Sequence, residues 1–147
     1  NPVARSNVCP EIDPPGEPSF YAFSFTRPTR ATSPSFVISG GAEAREGSGS
    51  YVERTVRYRD LSSDGLREKV RFTTSQMESR MAAFGFGWKD TTGVQAYSVH
   101  DFHHALADEL VRRGALRSGL TWHFARPPVV DLEYEMDCRR VLREAVI

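Results

Sequence analysis

Val130-Asp131-Leu132-Glu133-Tyr134-Glu135-Met136-Asp137-Cys138 alternates apolar and acidic residues with a period of two, the pattern of a β-strand whose two faces differ. Val130, Leu132, Tyr134, Met136 and Cys138 share one face, and Asp131, Glu133, Glu135 and Asp137 share the other. Same-face neighbours in a strand sit about 7 Å apart, so ionised acids in such a row repel unless water or arginines compensate. One reading of the row is a solvated sheet edge. A second is a subunit interface or cleft where arginines meet the acids by bidentate pairing. A metal site is the third, with His100, His103, His104 and His123 to draw on. The spacing His-Asp-Phe-His-His fits no ligand motif, so no metal is expected.

Upstream of this strand, Arg126-Pro127-Pro128 separates it from an apolar run at 120–125. So short a connection predicts an antiparallel hairpin between 120–125 and 129–139. Before it, Asp101 or His100 opens a helix whose stripe is Phe102, Ala105, Leu106 and Leu110, and Gly114 closes it. A strand is expected at 91–99. A longer helix precedes that strand: Asp64 caps it, Leu66, Val70, Thr73, Met77, Met81 and Phe84 recur every three or four residues, and Gly85 ends it. The alternation of residues 51–59 predicts a partly exposed strand, after a polar loop at 42–50. Residues 35–39 read as a strand ending at Gly40-Gly41, and 20–26 as a first strand stopped by Pro28. Pro2, Pro10, Pro14, Pro15 and Pro18 make residues 1–19 an extended arm ahead of a single domain at 20–147. The element order predicts an α+β fold, a mixed β-sheet with two helices packed on one face.

A chain of 147 residues, 39% hydrophobic and 26% charged, suits one globular domain. Its 19 basic and 19 acidic side chains cancel, which removes the positive field that nucleic-acid binding needs. No apolar run is long enough to span a bilayer and no signal peptide is recognisable, so neither a membrane nor an export route is expected and the location reads as cytoplasmic. Cys9 and Cys138 lack the closely spaced partners of a zinc site or disulfide framework and read as reduced structural thiols. Ser39 and Ser118 lie in no nucleophile elbow, Gly85-Phe86-Gly87 reads as a helix stop, and no cofactor is expected. His123 stands open as either an acid–base group or a satisfied structural histidine.

Three strings carry a resemblance to a known family: Phe36-Val37-Ile38-Ser39-Gly40-Gly41, Val99-His100-Asp101-Phe102, and Ala125-Arg126-Pro127-Pro128 leading into Val130-Asp131-Leu132-Glu133-Tyr134-Glu135. In order and spacing they resemble the reactive intermediate deaminase (RidA/YjgF-like) family, over roughly residues 20–140. That resemblance implies a homotrimer with a small-molecule cleft at each subunit junction. It implies hydrolysis of small enamines, imines or aminomuconate-like acids, with an arginine clamping the substrate carboxylate and a glutamate orienting water. Glu133 matches the glutamate. Arg117 and Arg126 are the candidates for the clamp, with Tyr21, Thr121 and His123 as further substrate-binding candidates. The chain departs from the family pattern where Gly119 falls near the arginine position, Leu106 near an asparagine, and 42–60 is extra. The alternative is a non-catalytic trimer that binds small carboxylic acids on the same fold.

Overall fold

The computed structural model describes residues 3–4 and 7–145. Its core is a mixed sheet of β1 (Phe36–Ala42), β2 (Gly93–Tyr97), β3 (Thr121–His123) and β4 (Glu135–Arg140), in the spatial order β1-β4-β2-β3. β4 runs antiparallel to both β1 and β2, whereas β2 and β3 are parallel. A parallel pair needs a crossover, and the second helical segment between β2 and β3 supplies it.

Ile38, Val94, Ala96, Met136 and Cys138 form the apolar face of the sheet. Val70, Met77 and Met81 of α2 (Ser63–Ala83) cover it, together with Ala105 and Leu110 of the second segment. Both helical elements therefore pack on one face, and the α+β expectation holds. α2 follows the expected stripe, but Ser62 rather than Asp64 is its N-cap, accepting from the Gly65 amide. The stripe also ends a turn early, because Phe84 is the C-cap residue and is exposed. Gly85 then takes φ 78°, a left-handed stop that glycine adopts without strain.

The second segment opens at α3 (His103–Ala105), with the His103 amide donating to Asp101, and continues as a π-helical stretch at Leu106–Val111. β1 does not stop at Gly40-Gly41; a register shift between Ile38 and Gly41 carries it on to Ala42. A Cβ on Gly41 would lie 2.7 Å from Met77 Cε and 2.9 Å from Arg80 Nη1, so the ends of both side chains would have to shift to admit one.

Three expectations are corrected. Residues 51–59 are not a strand: α1 (Tyr51–Arg54) forms instead, held by a capping box in which Ser50 and Glu53 satisfy each other's amides. Arg57 and Arg59 then take φ 51° and 57°, which no strand tolerates. The 120–125 and 129–139 runs do not form a hairpin, because β2 lies between β3 and β4. Asp131, at φ 66°, bends the chain before β4 begins at Glu135. Of the proposed first strand only Ser24–Phe25 pairs, with Val3–Ala4, and Phe20, Tyr21 and Phe23 stand exposed.

The arm also contributes Cys9–Pro10, antiparallel to Ala125–Arg126. Cys9 is exposed and Cys138 buried, and both are free thiols. Among the described residues no helix is long and apolar enough to cross a membrane.

Candidate active site

β4 lies inside the sheet, flanked by β1 and β2, so its acids Glu135 and Asp137 are not on a solvated edge, while Asp131 and Glu133 of the same row lie in the segment that leads into it. Each meets a different environment. Asp131 accepts from the Tyr58 hydroxyl at 2.7 Å and pairs with Arg59 at 3.1 Å; these two contacts hold its carboxyl below the usual range. Asp137 accepts from the Tyr97 hydroxyl at 2.5 Å and lies 3.5 Å from Arg139. The expected meeting of arginines with acids thus occurs within one chain.

Glu133 is the most elaborately held of the row. His100 Nε2 lies 2.7 Å from its Oε2, and Arg126 Nη1 lies 3.7 Å from the same oxygen. Arg126 is itself steadied by Glu11, at 3.0 Å from its Nε. Ser98, buried at the end of β2, aligns the pair from below. Its hydroxyl donates to the Glu133 carbonyl at 2.7 Å and accepts from the His100 amide at 3.1 Å. The Trp122 indole fixes that serine in turn by donating to its carbonyl at 2.9 Å. The Glu133 carboxylate is shielded, with a side-chain exposure of 12%.

Behind Glu133 lies a buried ion pair. Glu43 follows β1 directly, so the continuation of that strand through its glycines delivers it to the interior. Its carboxylate accepts the Glu133 amide at 2.6 Å and the Tyr134 amide at 3.1 Å. Lys69 of α2 lies 3.3 Å from it and donates to the Val56 carbonyl at 3.0 Å, with both side chains wholly buried. Burial pushes the Glu43 carboxyl up, against the pull of the Glu133 amide and the Lys69 ammonium. The pair ties α2 to the backbone that carries Glu133. Glu135, also buried, is pushed up to about 7 by burial and by the nearby Asp137 and Glu43.

The other sequence candidates are dispersed. Arg126 reaches Glu133, but Arg117 sits in the turn after the second helical segment and pairs with no acid among the described residues. His123 stacks on Tyr97 at 4.9 Å, with Tyr21 edge-on at 6.3 Å, and its Nε2 lies 3.0 Å from Gln95 Nε2. Burial lowers its pKa despite the opposing pull of Asp137. Thr121 is exposed, pairing with Gln95 across the sheet. None of Tyr21, Thr121 and His123 forms a hydrogen bond or ion pair with Glu133. Sequence reasoning missed His100 as the partner of Glu133, and missed Ser98, Glu43 and Lys69 altogether. Only the adjacency of Val99-His100-Asp101 to a strand end offered any signal. Among the described residues no cluster of three or more His, Cys, Asp or Glu is arranged to hold a metal ion.

Comparison with known proteins adds a chemical context. The family profile described as 2-aminomuconate deaminase CnbZ matches residues 1–145. The 2-amino-5-chloromuconate deaminase of Comamonas testosteroni is 50% identical over 149 residues, an alignment covering all of this chain and 59% of that protein. The chain therefore spans about three-fifths of that relative's length. No solved structure matches.

Proposed function

Because the chain belongs to the 2-aminomuconate deaminase CnbZ family, we propose that it hydrolyses aminomuconate-like acids, with Glu133 as the group that activates water. The observation that carries this reading is the Glu133–His100 contact at 2.7 Å with Arg126 beside it. The iminium tautomer of a 2-amino-dienoic acid is electrophilic at the carbon that bears nitrogen. Water attacks that carbon while Glu133 takes its proton, giving a carbinolamine. The proton then passes to nitrogen, the C–N bond breaks as Glu133 takes the carbinolamine hydroxyl proton, and ammonia and a 2-oxo acid leave. His100 orients the carboxylate and shares the proton, and Arg126 binds the carboxylate next to the reacting carbon.

The same reading takes the fold as a divergent RidA/YjgF-like one, acting in the cytoplasm as a homotrimer with its cleft at the subunit junction. Exposed Phe20, Tyr21 and Phe23 support an interface with a second copy, and Arg117, with no acid partner among the described residues, is available to a neighbour's cleft.

The test is ammonia release from 2-aminomuconate by purified protein. Glu133→Gln should slow it by about 100-fold or more, the scale of a lost general base. Equal rates for the two proteins would remove Glu133 from the reaction.

A further inference from the structure

A cavity of about 350 Å³ opens beside Glu135, between β1, the α1 region, α2 and the bend before β4. Arg45, Arg54 and Arg80 stand on its wall. Arg80 is occupied, donating to the Gly40 carbonyl at 2.8 Å and pairing with Glu46 at 3.1 Å. Arg54 donates only to the carbonyls of Gly49 and Arg45, and Arg45 only to the carbonyl of Arg54. Neither has an acidic partner among the described residues. Two guanidiniums left unneutralised on a concave wall suit a carboxylate, whose two oxygens match their planar fork.

Across the cavity Glu135 is 8% exposed, and no hydrogen bond or ion pair reaches its carboxyl among the described residues. The groups facing it are Glu43, itself paired with Lys69; Asp137 on its own strand; Arg80 from α2 with its partner Glu46; and Arg45 and Arg54 from the α1 region. Glu133 stands two residues before Glu135, outside the lining of the cavity and at most about 7 Å away along the chain. A conjugated six-carbon diacid can address both.

Building on the deaminase reading above, we infer that this cavity receives the distal carboxylate of a dicarboxylic dienamine on Arg54 and Arg45, and that Glu135 protonates the carbon next to that carboxylate. The step balances. The nitrogen lone pair moves along the diene, the terminal alkene carbon forms a C–H bond with the Glu135 proton, and the Glu135 O–H bond breaks. A C=N⁺ bond appears at the other end, where the water activated by Glu133 adds. Glu135 regains its proton from solvent or from the product as its double bonds rearrange. Because Glu135 is held near neutrality, much of it carries that proton at neutral pH.

The experiment pairs binding with turnover. trans,trans-Muconate, which has both carboxylates and no amine, is compared as an inhibitor or thermal-shift ligand with sorbate, the same chain bearing one carboxylate. Arg54→Gln and Arg45→Gln should each weaken muconate by about 10-fold or more and leave sorbate unchanged; a muconate affinity equal to wild type in both would overturn the assignment. Glu135→Gln, which removes an unpartnered acid and should fold at least as well, is expected to bind muconate normally. It should lose at least about 100-fold in kcat on 2-aminomuconate, together with the fall in kcat as pH rises through 7; an unchanged kcat and pH profile would overturn its role. A wild-type protein that binds muconate through these arginines but releases no ammonia would sink the deaminase reading and the proton-transfer step, leaving the carboxylate seat standing.

Discussion

Replacing Lys69 with methionine tests the tie between the core and the candidate site. The ammonium and the Glu43 carboxylate are both fully buried and 3.3 Å apart. Methionine fills most of the same volume, so the main loss is charge: Glu43 stays buried without its cation. Breaking a buried pair in this way costs about 3–5 kcal/mol. Unfolding entropy is about 2.1 cal/mol/K per residue, so each kcal/mol is about 3 °C for a chain of this length, and Tm should fall by about 10–15 °C at pH 8. The two amides that still donate to Glu43 hold the expected loss within that range.

The effect has a sign in pH. Glu43 is already pushed up by burial, and losing Lys69 pushes it further. A carboxyl whose folded pKa exceeds its unfolded value binds its proton more tightly when folded, so stability declines as pH rises above the unfolded value. The Lys69→Met deficit should therefore shrink at pH 5, where Glu43 can be neutral. Thermal unfolding at pH 5 and pH 8 measures both quantities. A fall of less than about 3 °C at pH 8, or the same fall at both pH values, would refute the claim that the pair is charged and necessary.

Glu135→Gln should act the opposite way on stability. With its folded pKa raised from 4.5 to about 7, wild type should lose up to about 3 kcal/mol as pH climbs across that window. The glutamine variant should lose that part of the decline and show a higher Tm at pH 8, read by thermal unfolding across pH 4–8. Ser98→Ala removes the hydroxyl that contacts both the Glu133 carbonyl and the His100 amide; it should lower kcat more than it raises KM, and cost about 1–3 kcal/mol in urea unfolding. Gly65→Ala should destabilise by about 1–3 kcal/mol, because its Cβ would sit 2.5 Å from Asp60 Cγ; Gly87→Ala, with nothing near, is the control in the same melts.

The sequence by itself determined what depends on neighbours along the chain. The stripe through Leu66, Val70, Met77 and Met81 predicted α2 because a helix closes its bonds within four residues. The glycine stop at Gly85 was legible for the same reason. The alternation in 130–138 set Leu132, Tyr134, Met136 and Cys138 on a buried face, but Val130 is exposed, and Glu135 and Asp137 on the other face are buried as well. At 51–59 two local signals competed, and the Ser50/Glu53 capping box, equally visible, prevailed over a period-2 pattern. Tertiary structure decided what depends on distant segments. That β4 is central rather than an edge follows from pairing with β1 and β2, about 100 and 40 residues upstream. Which partners each acid meets was settled in the same way. Asp131, Glu133, Glu135 and Asp137 are chemically similar in a one-dimensional reading, and only the fold gives one an arginine, one a histidine, one an empty cavity and one a tyrosine. The reactivity of a carboxyl follows its solvation and partners, and those come from residues that sequence spacing does not bring together.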